Sequence, residues 1–155
     1  MTSLRTLLLN DNNLFGTIPT EIGLMKKIAH LDLSSNDLRG ELPSEIGRLS
    51  TLKGLVLDKN SFITGKLPPL NSLSHLETLS VEHCRFQGTL PPALYLLTSL
   101  KHLRLQKNQF SGRIFPDLSR LSHLRKFSFD CIFVVSLSSS ITSSRLLQIY
   151  NLNLA

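Results

Sequence analysis

The chain has 155 residues, 41% hydrophobic and 18% charged, a balance that suits one soluble and well-buried domain. Its 17 Lys and Arg against 11 Asp and Glu give a formal net charge of +6, which favours acidic partners and equally fits plain solubility. No run approaches the roughly 18 to 20 apolar residues that a bilayer-spanning helix needs, so the sequence gives no sign of a membrane span.

From its start the sequence repeats a unit of 24 residues. Each unit opens on an apolar residue, and further apolar residues follow three and five positions later. Short alternation of this kind predicts a β-strand with one buried face. The opening residues are Leu4, Ile28, Leu52, Leu76, Leu100 and Leu124. The apolar residues of the predicted strands are Leu7 and Leu9, Leu31 and Leu33, Leu55 and Leu57, Leu79 and Val81, Leu103 and Leu105, and Phe127 and Phe129.

Behind each predicted strand the units share a return segment with an asparagine, an apolar residue, a glycine and a proline. The position eight residues after the opening one holds Asn12, Asn36, Asn60, Cys84 and Asn108. The apolar residue two positions later is Leu14, Leu38, Phe62, Phe86 or Phe110. The glycines are Gly16, Gly40, Gly65, Gly88 and Gly112. Glycine permits a close backbone approach or a positive φ and proline lacks an N–H, so both residues are interpreted as architectural.

The third unit departs from this spacing. It gains one residue between Ser61 and Gly65 and loses one before Leu73, so the fourth unit starts in phase. We expect stacking to fix the strand register while the outer segment tolerates the shift.

The pattern LxxLxLxxNxLxGxIPxxLGxLxx resembles the plant-type class of leucine-rich repeats, found in receptor-kinase ectodomains, receptor-like proteins and polygalacturonase inhibitors. The resemblance covers residues 1 to about 130. It implies an α/β solenoid, a right-handed horseshoe with a concave parallel β-sheet, short 3-10 or irregular convex segments and few true helices. One strand and one return segment cannot bury their own leucines, so the units must stack.

The asparagine column is predicted to be structural. An amide side chain carries both an acceptor and two donors, so Asn12, Asn36, Asn60 and Asn108 can satisfy buried turn backbones between neighbouring units. Cys84 takes the same position in the fourth unit and is interpreted as a small buried hydrophobe with a weak donor. Cys84 and Cys131 lie two repeats apart, about 9 to 10 Å at the usual strand spacing, so we expect two free thiols.

The repeat fades after Phe129. Residues 1–130 are predicted to form the solenoid, and residues 131–155 a degenerate repeat with a serine-rich tract and a truncated last strand. A longer parent protein, a mis-bounded gene model or an improvised cap over the last repeat would each account for this ending. The start of the chain lacks the apolar core of a signal peptide. The resemblance implies an extracellular or plasma-membrane ectodomain, and the missing signal leaves a cytoplasmic location as the alternative.

In the family that the pattern resembles, ligands are usually held on the concave sheet. The outward positions of the fifth and sixth units are basic and follow an acidic spot of Asp58, Glu77 and Glu82. The predicted basic site consists of Lys101, His102, Arg104, Lys107, Arg125 and Lys126. Arg and Lys on adjacent strands can hold an acidic protein or peptide segment through charge-assisted hydrogen bonds. The alternative is an ordinary solvated face.

Other functions find less support in the residues. The five histidines are scattered without metal-ligand spacing, and neither a phosphate loop nor a nucleophile elbow occurs, so no catalysis, cofactor, metal or small-molecule substrate is expected. RNA binding is compatible with the basic patch, but the outward positions before Tyr150 offer no aromatic residue for base stacking. Non-catalytic recognition of a protein or peptide is the predicted function. A fragment of a receptor-like protein, a secreted enzyme inhibitor and an intracellular scaffold are its three versions.

Overall fold

The computed structural model describes residues 3–112 and 120–129. Within them, six three-residue strands form one parallel sheet whose spatial order follows the chain. The strands are β1 (Thr6–Leu8), β3 (His30–Asp32), β5 (Gly54–Val56), β7 (Thr78–Ser80), β9 (His102–Arg104) and β11 (Lys126–Ser128).

The register of this sheet repeats the 24-residue period of the sequence. Leu7 lies opposite Leu31, which lies opposite Leu55, and the same column continues through Leu79 and Leu103 to Phe127. From Leu31 onward every member of this column is buried, with an exposed fraction between 0 and 2%. The predicted strands are confirmed, and so are the inward apolar residues of the second to sixth units. In the first unit Leu7 is only partly buried and Leu9 is 36% exposed.

A second layer of short strands, which the sequence did not predict, follows the asparagine column. β2 (Phe15–Gly16), β4 (Asp37–Glu41) and β6 (Phe62–Thr64) form one parallel sheet, and β8 (Gln87–Gly88) pairs with β10 (Gln109–Phe110). Backbone hydrogen bonds from Arg85 to Ile63 and from Gln87 to Gly65, both 2.8 Å, link the two groups. Four of these five strands have only two or three residues, too few to show an alternation in sequence.

Three 3-10 helices form the outer side of the described residues: η1 (Thr20–Leu24), η2 (Ser44–Arg48) and η3 (Pro92–Leu96). Each follows a proline in extended conformation, Pro19, Pro43 or Pro91. The third unit, which lost a residue here, has no such helix, and the described residues contain no α-helix. Parallel strands inside and 3-10 turns outside make the predicted leucine-rich-repeat horseshoe. Among the described residues, no helix has both the length and the apolarity needed to cross a bilayer.

Asparagines of the second, third and fifth units bridge neighbouring units. The Asn60 amide nitrogen donates to the Leu33 and Leu57 carbonyls, both at 2.9 Å, and its oxygen accepts the Leu38 N–H at 3.1 Å. Asn36 and Asn108 repeat these contacts one unit earlier and two units later. Three of the four predicted asparagines therefore join neighbouring units through their backbones.

For Asn12 the prediction of a bridge between units was wrong. Its amide reaches only the Leu9 and Asn10 carbonyls of its own unit, at 3.1 and 2.9 Å, and the side chain is exposed. No described unit lies on the outer side of the first repeat. For the same reason Leu4 and Leu14 of this repeat are 39% and 38% exposed, although the residues that fill the same core positions in later repeats are buried.

Cys84 is a buried free thiol, as predicted. Its Sγ donates to the Leu57 carbonyl at 3.4 Å, so it keeps the donor role of the asparagine that it replaces. Burial raises the pKa of this thiol to about 12, which keeps it protonated and unreactive. Cys131, its predicted unpaired counterpart, lies outside the described residues, as does the segment 131–155.

In the third unit, Phe62 does not occupy the core position that its spacing from Asn60 predicted. Phe62 is 51% exposed, and Ile63, at 1%, fills the core position instead. The inserted residue therefore falls between Asn60 and Ile63. The Ile63 N–H donates to the Asn60 carbonyl at 3.0 Å, while the Phe62 ring lies 5.6 Å from the Arg85 guanidinium carbon.

Candidate functional site

The concave sheet presents two columns of side chains on either side of the buried leucines. One column runs through Thr6, His30, Gly54, Thr78, His102 and Lys126. The other runs through Leu8, Asp32, Val56, Ser80, Arg104 and Ser128. Because the strands pair without a shift, residues of one column lie on neighbouring strands at about 4.8 Å spacing.

A shallow depression of about 180 Å³, here called the central depression, lies across the third to sixth strands. Its lining residues are Val56, Asp58, Thr78, Ser80, His102, Arg104 and Lys126. Four of the predicted site residues thus line one concavity: Asp58, His102, Arg104 and Lys126. The sequence offered no clue to the roles of Thr78 and Ser80, which stand between the charged groups as hydrogen-bonding residues.

Asp58 forms the acidic side of the central depression and is held in place. The Ser80 hydroxyl donates to its Oδ2 at 2.8 Å, and the Glu82 backbone N–H donates to its Oδ1 at 2.7 Å. Burial raises the pKa of Asp58, while these two hydrogen bonds and the charge of Arg104 act in the opposite direction. The carboxylate is therefore a fixed, half-buried group that orients its neighbours.

His102 sits among positive charges. Its Nδ1 lies 3.3 Å from the Thr78 hydroxyl oxygen. Burial lowers the pKa of His102, and the charges of Lys126 and Arg104 lower it further. A bound anion would offset these charges and favour the imidazolium form.

The other predicted site residues lie at the edges of the sheet. Lys101 forms an ion pair with Glu77, with 2.6 Å between Nζ and Oε2, and this contact lowers the pKa of the Glu77 carboxyl. Lys107 lies 3.8 Å from the Glu82 carboxylate on the opposite edge. Arg125 is exposed and precedes strand β11, outside the central depression. Glu77 and Glu82 therefore neutralise the edges of the basic patch, while in the central depression the cations Arg104 and Lys126 outnumber the one carboxylate, Asp58.

The rim where the strands end has an unusual backbone that the sequence did not predict. The residue before each column asparagine or cysteine has a positive φ between 52° and 58°, although none of these residues is a glycine. They are Asp11, Ser35, Lys59, His83 and Lys107. Polar side chains at these positions project from a left-handed turn, which L-residues seldom adopt.

The described residues contain no cluster of side chains suited to bind a metal ion. Within residues 3–112 and 120–129, no group of three or more His, Cys, Asp or Glu side chains is arranged to hold an ion.

Four segments of the chain match the model of one protein family. Residues 3–25, 27–49, 75–97 and 99–121 each match the model of the Leucine Rich Repeat, and together they make up more than half of the chain. The chain belongs to the leucine-rich-repeat family. The unmatched third repeat is the one that carries the insertion and the deletion. No curated protein matches this leucine-rich-repeat chain.

Several solved structures similar to this leucine-rich-repeat domain come from plants. The ectodomain of the Arabidopsis thaliana receptor kinase GASSHO1/SCHENGEN3, in complex with Casparian strip integrity factor 2, is 33% identical over 86% of this chain, with a TM-score of 0.77. The Arabidopsis receptor kinase HAESA, in complex with the peptide hormone IDA and the co-receptor SERK1, is 34% identical over 84% of the chain, with a TM-score of 0.79. A plant ice-binding protein is 28% identical over 81%, with a TM-score of 0.72.

The chain spans only a part of these relatives. It covers 15% of the GASSHO1/SCHENGEN3 chain, 23% of the HAESA chain and 40% of the ice-binding protein. One repeat architecture therefore carries receptors and an ice-binding protein, so the function depends on the surface side chains and not on the fold.

Proposed function

We propose that this leucine-rich-repeat domain recognises a protein or peptide through its concave sheet, performs no chemistry there, and is part of a longer receptor-like protein. Two similar structures are receptor kinases bound to a peptide hormone or an integrity factor, which supports protein or peptide partners in general. A rigid sheet with outward side chains at regular spacing suits an extended ligand.

The observation that carries the proposal is the positive centre of the central depression. His102 and Arg104 lie on β9, and Lys126 lies opposite His102 on β11. Neither Arg104 nor Lys126 forms an ion pair with a described residue. A carboxylate placed here would receive charge-assisted hydrogen bonds from two sides. The preferred ligand of the site is therefore an acidic segment.

The surrounding ion pairs sharpen this preference. Lys101 is engaged by Glu77, and Lys107 lies against Glu82, so both edges of the patch already carry carboxylates. These carboxylates would repel a second acidic group of the ligand, whereas a basic or polar group would bind beside them without repulsion. We therefore expect the ligand to place one acidic residue over the centre and neutral or basic residues towards the two edges.

The test is a peptide array with systematically varied acidic content, followed by affinity measurement on the peptides that bind. Charge reversal by Arg104→Glu or Lys126→Glu should weaken binding at least ~10-fold, because the ligand carboxylate then faces a like charge. The matched control is Arg39→Glu, which reverses an exposed charge in strand β4, outside the concave sheet. It should leave the affinity unchanged.

Two outcomes would contradict the proposal. Unchanged affinity in the Arg104→Glu, Lys126→Glu double variant would show that peptides bind elsewhere. Salt-sensitive capture of RNA by a domain that binds none of the peptides would favour the nucleic-acid alternative.

A further inference from the structure

A second and larger depression lies at the edge where the first four concave strands begin. It encloses about 360 Å³, within the range of small-molecule sites. We name it the strand-start cleft, and its lining residues are Arg5, Lys27, Ala29, Thr51, Lys53 and His75. It shares no residue with the central depression.

The repeat geometry creates this cleft. Arg5, Ala29 and Lys53 occupy the same position in three successive units, so the small Ala29 side chain leaves a gap between two long cationic ones. At about 4.8 Å per strand, the backbones of Arg5 and Lys53 lie about 10 Å apart. Flexible side chains of this length can converge on one ligand from both walls.

The other wall is held in position by backbone contacts. The Thr51 hydroxyl donates to the Ile28 carbonyl at 2.7 Å, and the His75 Nδ1 lies 3.1 Å from the Ser50 carbonyl oxygen. This contact fixes the plane of the imidazole ring. The cleft therefore has an ordered wall before any ligand binds.

The charge in the strand-start cleft has one sign. Arg5, Lys27 and Lys53 are cations, His75 adds two ring nitrogens, and no carboxylate lines the cleft. Glu77 follows Lys53 in the same column, but its carboxylate is bound by Lys101 at 2.6 Å. Three cations around one open concavity repel one another, and an anion would relieve that repulsion.

We propose that the strand-start cleft binds a multiply charged oxyanion, a phosphate or a polycarboxylate, which is either free in solution or carried on a partner. The proposal stands apart from the function assigned to the central depression, because the two depressions share no residue. Arg5 supplies a planar guanidinium suited to two oxygens, and Lys53 supplies a point charge from the opposite wall.

The experiment titrates the 155-residue protein at low ionic strength with inorganic phosphate, with citrate and with a phosphoserine tripeptide, followed by calorimetry and amide NMR. Lys53→Gln and Arg5→Gln should each lower the affinity of the best probe about 10-fold, as expected for loss of one charge-assisted contact. The matched control is Lys59→Gln, which removes one positive charge from the opposite rim. It should change the affinity less than about 2-fold, because that charge is screened by salt and solvent.

The outcomes separate the two sources of the anion. Tighter binding of citrate or phosphate than of the tripeptide supports a free small anion, whereas the reverse supports an anionic group on a partner. Absence of binding by all three probes would overturn the proposal, as would equal losses in Lys53→Gln and Lys59→Gln. The side chains of Arg5, Lys53 and Lys59 are all exposed, so circular dichroism should show that the three variants keep the fold.

Discussion

At the residue scale, the return-segment glycines meet two separate requirements: a positive φ, and a position where a Cβ would meet a neighbouring side chain. All five return-segment glycines have a positive φ, from 77° to 90°. From the second unit on, the side chain that follows the preceding glycine also covers the position where a Cβ would stand. The pairs are Thr17 over Gly40, Glu41 over Gly65, Lys66 over Gly88 and Thr89 over Gly112.

Substitutions at Gly16 and Gly65 allow the costs of backbone strain and of steric contact to be measured separately. An added Cβ at Gly16 meets nothing within 4 Å, whereas at Gly65 it would lie 2.7 Å from the Glu41 Cγ. Gly16→Ala should lower the free energy of unfolding by about 1 to 2 kcal/mol from backbone strain alone. Gly65→Ala should cost a further ~1 kcal/mol from the close contact. Urea unfolding measures both, and a Glu41→Ala background should remove the excess. An excess that persists in this background would disprove the steric explanation.

His102 gives a pH dependence with a defined sign. Its folded-state pKa lies below the ordinary value of 6.5, so on acidification the unfolded chain takes up the proton first. The stability linked to this group is complete above pH 6.5 and is lost as the pH falls through the folded pKa. The charged groups around the ring are Lys126, Arg104, Arg125, Lys101 and, across the central depression, Asp58.

We therefore expect His102→Gln to flatten the decline in the urea midpoint below pH 6.5. Lys126→Gln should move the midpoint of the decline to higher pH, because one of the charges that lower the His102 pKa is removed. NMR titration of the imidazole protons checks the second result directly. An unchanged imidazole pKa in Lys126→Gln would contradict the arrangement of charges described here.

At the scale of the element, the third return segment and the fourth-unit cysteine are coupled. In regular units the N–H two residues after the asparagine donates to the asparagine oxygen of the next unit, as Leu38 does to Asn60. In the third unit the insertion turns the Ile63 N–H back to the Asn60 carbonyl. An asparagine at position 84 could then not draw on the Ile63 N–H as a donor for its oxygen, whereas the Cys84 thiol donates to the Leu57 carbonyl.

The asparagine column itself can be tested with two of its members. Asn60→Ala leaves the Leu38 N–H and the Leu33 and Leu57 carbonyls without this partner in the core, and should cost about 2 to 4 kcal/mol of unfolding free energy. Asn12→Ala removes two exposed contacts within one unit and should cost less than about 1 kcal/mol. Thermal and urea unfolding compare them, and equal losses would show that bridging between units adds no stability.

The same elements show how far the sequence determines the fold. The 24-residue spacing of the leucines was sufficient to predict six strands, their parallel order and their register, because stacking allows only one alignment. The second layer of strands was missed because four of its five strands have only two or three residues and carry no periodicity. Phe62 was misplaced because an insertion can be placed at several positions in sequence, and only burial decides which residue turns outward.

At the scale of the whole molecule, the charge pattern was only partly readable from the sequence. Alignment of the units placed Arg104 and Lys126 on adjacent strands, and the structure has them line one depression with His102. Alignment gave no side-chain conformations, so it left open that Lys101 would pair with Glu77. The strand-start cleft went unnoticed because its lining residues come from two columns and its volume depends on the small size of Ala29.

The unshifted pairing of the concave strands has a consequence for any extended ligand laid across them. Neighbouring strands lie about 4.8 Å apart, while alternate side chains of an extended peptide recur every 6.6 to 6.8 Å or so. Three such peptide steps, about 20 Å, span nearly the same length as four strand intervals, about 19 Å. The side chains of such a ligand and the concave strands therefore coincide only at intervals, so a few well-separated contacts decide which sequence fits.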